Sequence, residues 1–165
     1  MRKRGTLALG ALVVGLGTTL VCDPPPLLVW NPSASAPVGL YAAQPAARLK
    51  RGDLALAWPP DEARELAARR HYLPRNVPLV KRVAALGGER ICARGNRIMV
   101  QGRVVARRQT TDAQGRPLPA WQGCRTLANG ELLLLMPHPH SFDGRYFGTT
   151  QAAQVIGKAV PLWVR

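Results

Sequence analysis

Several residue types and patterns are scarce in this chain of 165 residues, and each scarcity narrows what it can be. Only three cysteines are present, with no Cys-x-x-Cys pair and no Cys/His cluster, which argues against a zinc site. Three histidines leave little room for a Ser-His-Asp arrangement. His138 and His140 flank Pro139 without other ligands nearby and read as loop residues, so neither a metal nor a cofactor is expected. No Gly-x-Ser-x-Gly elbow occurs, which argues against a hydrolase of that type. Lysine is rare: Lys3, Lys50, Lys81 and Lys158 are the only lysines among 23 basic residues. No internal repeat and no second domain are visible. What is abundant is proline, with 15 residues, and positive charge, with a net of +14. The prolines favour strands, turns and loops over long helices. The spread of basic residues suits anionic lipid, nucleic acid or no particular partner.

The N-terminus carries a basic cap, Arg2-Lys3-Arg4, followed by the uncharged apolar run Thr6–Val21 and then Asp23-Pro24-Pro25-Pro26. That run is slightly short of the ~20 residues preferred for a spanning helix. The triple proline ends any helix, and positive charge before the run places the body outside the cytoplasm. The chain therefore divides into a cytoplasmic basic N-terminus (1–5), a transmembrane signal-anchor (6–22) and a periplasmic body (23–165). A cleaved signal peptide is the rival, but no small-x-small cleavage site precedes Asp23. Outside the cytoplasm, Cys92 and Cys124 are able to form a disulfide; the alternative is two free buried thiols.

Short apolar segments define the body. Strands are expected at 27–30, 39–42, 54–58, 78–86, 90–93, 97–100, 103–106, 132–136 and 155–164. Gln101-Gly102 reads as a hairpin turn. One helix is expected over Asp61–Leu73, between Pro60 and Pro74, with acids first and arginines late. Residues 110–123 and 137–148 read as loops. The fold class is mostly β: an antiparallel body with one short helix behind a transmembrane helix.

Three stretches carry candidate chemistry. In Leu79-Val-Lys-Arg-Val83, strand alternation puts Lys81 on one face with Leu79 and Val83. Burial of that face would lower the ammonium pKa and make the neutral amine a general base. A snorkelling edge lysine is the plain alternative. Asn31-Pro-Ser-Ala-Ser-Ala-Pro-Val-Gly-Leu-Tyr41 offers two serines, Ser33 and Ser35, as nucleophile candidates or as ordinary loop polarity. With no histidine base in reach of the pattern, a Ser-Lys dyad is the remaining way to activate a serine. Ser141-Phe-Asp-Gly-Arg-Tyr-Phe-Gly148 is a third polar turn, in which Asp143 is able to pair with Arg145.

In this order, these three stretches resemble the signal peptidase I-like serine proteases. The Ser-x-Pro-x-Gly-Leu-Tyr form, the helix ending in His71-Tyr72-Leu73 before the lysine strand, and Ala159-Val-Pro-Leu-Trp163 are most similar to the TraF branch, the conjugative-transfer peptidases. The resemblance spans Trp30 to the C-terminus. It implies a signal peptidase-like antiparallel β body, with Ser35 as acylated nucleophile and Lys81 as general base. It further implies that Ser33 joins the Ser35 backbone N–H in the oxyanion hole and that Ser141 orients the lysine. Asp143 matches the acidic residue of the last motif, important for activity in that branch, with Arg145 its ion-pair partner. Two positions depart from the family pattern: Gly87-Gly88-Glu89 stands where Pro-Gly-Asp is usual, and Gly144 where Ser is common.

The function so implied is a membrane-anchored serine endopeptidase of the inner membrane. It would act on exported, membrane-tethered precursors, by signal peptide removal or by maturation or cyclisation of a conjugative pilin. The enzyme would be a monomer that touches membrane lipid and no nucleic acid. The alternatives are a general type I signal peptidase of broad range, a LexA-like self-cleaving repressor, or a non-catalytic basic membrane protein of a secretion or conjugation apparatus. The repressor would need a DNA-binding domain where this chain has its apolar segment.

Overall fold

A computed structural model describes residues 27–45 and 49–165. The expected signal-anchor, 6–22, lies outside the described residues. Among the described residues, no helix is long and apolar enough to cross a membrane.

The elements run β1 (Leu28–Asn31), β2 (Gly39–Gln44), β3 (Leu54–Ala57), α1 (Asp61–Arg69), β4 (Leu79–Ala85), β5 (Arg90–Arg94), β6 (Arg97–Val100), β7 (Arg103–Arg107), β8 (Gly123–Thr126), β9 (Glu131–Leu135), α2 (Gly144–Phe147), β10 (Thr150–Gln151) and β11 (Val155–Val164), with one 3-10 turn, Ala152–Gln154. A seven-stranded sheet has the order β1-β2-β11-β3-β4-β9-β10, and a four-stranded sheet the order β7-β6-β5-β8. Every pairing within them is antiparallel.

The chain passes from the larger sheet to the smaller through Gly87-Gly88-Glu89 and returns through 127–130. Glu89 closes the first crossing by accepting from the Leu86 N–H at 2.8 Å. The sheets share a core: Ala85, Leu133 and Leu135 of the larger pack with Ile91, Ala93, Ile98 and Val100 of the smaller. At ~2 kcal/mol for each large aliphatic side chain buried, this shared layer makes one folding unit of the two sheets. Gly39, with φ +156°, lets β2 approach β11 closely, since a Cβ there would lie 2.0 Å from the Trp163 carbonyl oxygen.

The expected strands form, with ends displaced by a residue or two. Four features depart from expectation. The helix stops at Arg69 and not Leu73, because His71 turns into the left-handed region at φ 58°. Gly123–Thr126 pairs as β8, where only Cys92↔Cys124 and its neighbours supply the register. Two-residue β10 is held by pairing with β9 alone. A second helix, the single turn α2, lies inside the expected 137–148 loop, with its first turn capped by the Asp143 side chain. Among the described residues the body thus has two α-helical segments and not one.

Candidate active site

The stretch that holds Ser35 is a folded loop between β1 and β2, not a strand. Asn31, at the end of β1, is buried, and its side-chain amide donates to the carbonyls of Ser33, Ala36 and Pro37 at 2.9, 3.2 and 3.1 Å. Its Oδ1 accepts from the Ser33 N–H at 3.3 Å. Three carbonyls drawn to one amide fold the segment over on itself, and Pro32 and Pro37 have no N–H to offer a neighbouring strand. Tyr41, 1 % exposed, donates from its hydroxyl to the Pro37 carbonyl at 2.7 Å and pins the far end.

β4 delivers Lys81. Leu79, Lys81 and Val83 are buried on one face as alternation suggests, but the other face is not simply exposed: Arg82 is exposed while Val80 is buried in a second core cluster. Ala55 of β3 lies directly across from Lys81, and its small side chain leaves room for the lysine stem. Lys81 is 3 % exposed. Its Nζ lies 2.8 Å from Ser35 Oγ and 2.8 Å from Ser141 Oγ. Ser33 Oγ is 2.9 Å from Ser35 Oγ and accepts from the Ser35 N–H at 3.3 Å. The four side chains named from the sequence are therefore in one hydrogen-bonded chain: Ser33, Ser35, Lys81, Ser141.

Burial pushes the Lys81 pKa down to about 8; the Asp143 charge raises it and the Arg145 charge lowers it. Desolvation of the ammonium is the largest of the three effects, and the nearby ion pair pulls in both directions. Lys81 is thus a lysine with a substantial neutral fraction near neutral pH, able to take a proton from a hydroxyl.

Asp143 and Arg145 form a fully buried ion pair behind the lysine, 0 % and 1 % exposed. Arg145 Nε donates to Asp143 Oδ1 at 2.8 Å and Nη2 to Oδ2 at 3.1 Å, a two-point geometry. The remaining guanidinium hydrogens go to the carbonyls of Arg107, Pro139 and Met136. Asp143 accepts in addition from the backbone N–H groups of Met136 and Arg145. With every polar atom satisfied, the pair ties the β9 exit, the 137–143 loop and the end of β7 together. Asp143 makes no hydrogen bond to Lys81 or to the serines. Its charge acts on the lysine, and its side chain caps the turn that follows Ser141. Gly144 has a steric reason where a serine is usual: a Cβ would lie 2.9 Å from Leu134 O and 2.9 Å from Leu133 Cδ1.

The hydroxyls and the amine open into a cleft of about 320 Å³, whose further walls include Tyr72, Leu118, Phe142 and Tyr146. The 110–118 segment forms one wall and is latched to the end of the α1 region. Asp112 accepts from the Tyr72 hydroxyl and from Arg116 Nε, while Arg70 donates to the Pro117 carbonyl at 2.9 Å. Trp121 Nε1 donates to the Gly144 carbonyl at 2.9 Å, bracing α2 from the side of the smaller sheet. The Cys92 and Cys124 sulfurs are bonded across β5 and β8. His138 and His140 lie side by side in the loop before Ser141, ring centroids 5.8 Å apart. Among the described residues, no group of three or more His, Cys, Asp or Glu side chains is placed to hold a metal ion.

Sequence reasoning missed Asn31, Tyr41, Trp121 and the Asp112 latch. Asn31 stood at the edge of the serine stretch, where an Asx residue before Pro-x-x signals a side chain turned onto its own backbone. Trp121 and Asp112 gave no local signal.

Such a constellation of a buried lysine between two serines, on a curled β body, is accompanied by likeness to known proteins. A family model described as "Signal peptidase, peptidase S26" matches residues 3–164. The chain belongs to this family of serine peptidases. Within it, the chain falls in the TraF branch. It is 32 % identical over 143 residues to a conjugal transfer protein TraF of Agrobacterium fabrum, covering 81 % of this chain and 80 % of the relative. It is 32 % identical over 140 residues to a plasmid transfer protein TraF of Escherichia coli, covering 76 % of each. Among solved structures, a signal peptidase I from Enterococcus faecalis aligns with 18 % identity over 67 % of this chain and 97 % of that one, with a TM-score of 0.38.

Proposed function

We infer that this chain is a membrane-anchored serine endopeptidase with a Ser35/Lys81 dyad that processes exported precursor proteins in conjugation. The observation that carries the reading is the 2.8 Å approach of a buried Lys81 Nζ, with its pKa brought down to about 8, to Ser35 Oγ.

In the reactive form Lys81 is neutral. The Ser35 hydroxyl then donates to the Nζ lone pair, and an Nζ hydrogen donates to Ser141 Oγ, which aims the lone pair at Ser35. As Ser35 Oγ bonds to the substrate carbonyl carbon, its proton passes to Lys81. The oxygen that becomes negative replaces Ser33 Oγ as acceptor of the Ser35 N–H and also accepts from the Ser33 hydroxyl, each such donor contributing ~3 kcal/mol in comparable sites. The C–N bond then breaks, and the Lys81 ammonium gives its proton to the leaving amine. Water gives its proton to Lys81 as it attacks the ester, and Lys81 returns that proton to the departing Ser35 Oγ; an amine from the substrate itself, attacking in place of water, would close a ring instead.

The proposed anchor at 6–22 would hold the cleft at the membrane face, where a tethered precursor is met at high effective concentration. The sheet face on which β1 and β11 flank β2 supports that placement. Trp30 and Trp163 stack with centroids 5.8 Å apart, and Leu27, Leu28 and Leu162 beside them are exposed. Such aromatic and aliphatic surface suits a head-group interface.

The test is intact mass of a pilin-like precursor co-expressed with the wild type and with Ser35→Ala. A product trimmed only by the wild type supports the reading, and a product lighter by one further water identifies ring closure. A precursor trimmed equally by both proteins sinks it.

A further inference from the structure

Between Glu89 and Asp112 the sequence has no acidic residue, yet it carries Arg90, Arg94, Arg97, Arg103, Arg107 and Arg108. The pairing of the smaller sheet arranges three of them in a line. Arg94 of β5 is opposite Arg97 of β6, and Arg97 is opposite Arg107 of β7. Strand alternation sends all three to the outer face, since the residues next to them, Ala93 and Ile98, are buried in the shared core. Each of the three is exposed, and none takes part in a salt bridge among the described residues.

A row of like charges in direct cross-strand register is an unfavourable choice for a free surface. Cross-strand neighbours stand about 5 Å apart, and like charges at that spacing destabilise the sheet. The fold makes little use of these side chains: Arg108, next in sequence, is buried and bonded to the Trp121 and Gly95 carbonyls, whereas the row has one long side-chain hydrogen bond among the described residues, Arg94 Nη2 to Cys124 Sγ at 4.0 Å. What relieves the repulsion and uses the planar guanidinium donors is a set of carboxylates or phosphates supplied from outside.

We propose that the Arg94–Arg97–Arg107 row is a docking surface for an acidic segment of a partner protein. Three observations favour a protein over the other polyanions. The next row of the same face pairs Met99 with Val104, and Val104 is 48 % exposed. Arginine beside methionine and an exposed aliphatic is a mixture typical of protein interfaces. β5, β6 and β7 carry no aromatic residue on which a base would stack. The exposed aromatic surface suited to a bilayer lies elsewhere, on β1 and β11 of the other sheet.

The experiment uses the full chain in nanodiscs of neutral phosphatidylcholine. The probes are a labelled octaglutamate peptide, its octaglutamine counterpart, vesicles containing phosphatidylglycerol, and a single-stranded DNA octamer. Two triple variants remove the same charge: Arg94→Gln/Arg97→Gln/Arg107→Gln in the row, and Arg69→Gln/Arg75→Gln/Arg165→Gln away from it. The expected result is octaglutamate binding that weakens about tenfold or more in the row variant and about twofold or less in the other. The row variant should melt at or above the wild-type temperature, because it removes repulsion. Equal weakening in both variants reduces the row to net charge and overturns the proposal. So does a row-specific loss confined to vesicles or to DNA, which would assign the row to lipid or nucleic acid, and so does the absence of octaglutamate binding by the wild type. None of these outcomes touches the peptidase reading, which stands or falls with Ser35→Ala.

Discussion

If burial of Lys81 is what makes it a base, its titration must appear in both reactivity and stability. Consider reactivity first. With the pKa at about 8 against an ordinary 10.5, roughly one lysine in ten is neutral at pH 7, where an ordinary lysine would be neutral about three times in ten thousand. Burial therefore raises the reactive fraction about 300-fold at pH 7. The acylation rate of Ser35, followed with a chromogenic activated ester on the detergent-solubilised chain, should rise with pH, reach half its plateau near pH 8 and level off above. Ser35→Ala and Lys81→Met should leave only the background rate.

The same shift has a cost in stability, and its sign is fixed. The folded-state pKa lies below the unfolded one, so the unfolded chain binds more protons between the two values and stability rises with pH there. The penalty is fully present below pH 8 and disappears above pH 10.5. Its full size is about 3 kcal/mol. Lys81→Met keeps the length of the side chain and removes the charge, at the loss of hydrogen bonds to Ser35 and Ser141 worth about 1 kcal/mol each. At pH 7 the variant should therefore equal or exceed the wild type in stability by about 1 kcal/mol. Between pH 7 and 9.5 the wild type should gain about 2 kcal/mol relative to it. Denaturant unfolding of both proteins across that range measures the difference. A pH-independent difference, or an acylation midpoint near pH 10, would show that Lys81 is solvated and that the argument from burial is wrong.

Other perturbations separate positioning from chemistry. Asp143→Asn removes the charge that raises the Lys81 pKa, so the acylation midpoint should move to lower pH; Arg145→Met should move it higher. Each variant should lose about 3–5 kcal/mol of stability, since each strands a buried charge, and midpoints that stay fixed in both would deny the pair any electrostatic hold on the lysine. Asn31→Ala releases three loop carbonyls and should cost about 2 kcal/mol. It should slow acylation without moving its pH midpoint, and an unchanged plateau rate would refute its role in shaping the serine loop. Reducing the Cys92–Cys124 bond, which closes a sequence separation of 32, should lower stability by about 3–4 kcal/mol; thermal melts with and without a dithiol check it.

What could be read beforehand followed the range of the forces involved. Strand alternation is local, so Lys81 could be put on a buried face from Leu79 and Val83 alone. The Lys81–Ser35 hydrogen bond joins residues 46 apart in sequence, and no spacing rule reaches that far; the order of three motifs supplied the link. Residues whose partners lie on other elements stayed invisible. Trp121 meets Gly144 only because β8 returns beside the larger sheet, and β8 has a composition that reads as loop. Asp112 gains its role from Tyr72, 40 residues away.

Asp143 shows the same limit in another form. Its motif was visible and its pairing with Arg145 could be named, but proximity in a motif does not distinguish a group that touches the reacting atoms from one that holds them. The difference lies in where its oxygens are used. Both accept from Arg145 and from backbone N–H groups, and neither is hydrogen-bonded to the lysine. An acidic residue spent on structure in this way can change the rate only through the field it exerts and the turn it caps. Conversely, the lysine needs such a neighbour pair, because a lone aspartate would raise the pKa of Lys81 back towards its ordinary value. Paired with Arg145, it anchors Ser141 while the arginine offsets much of its field, and burial is left to set the base.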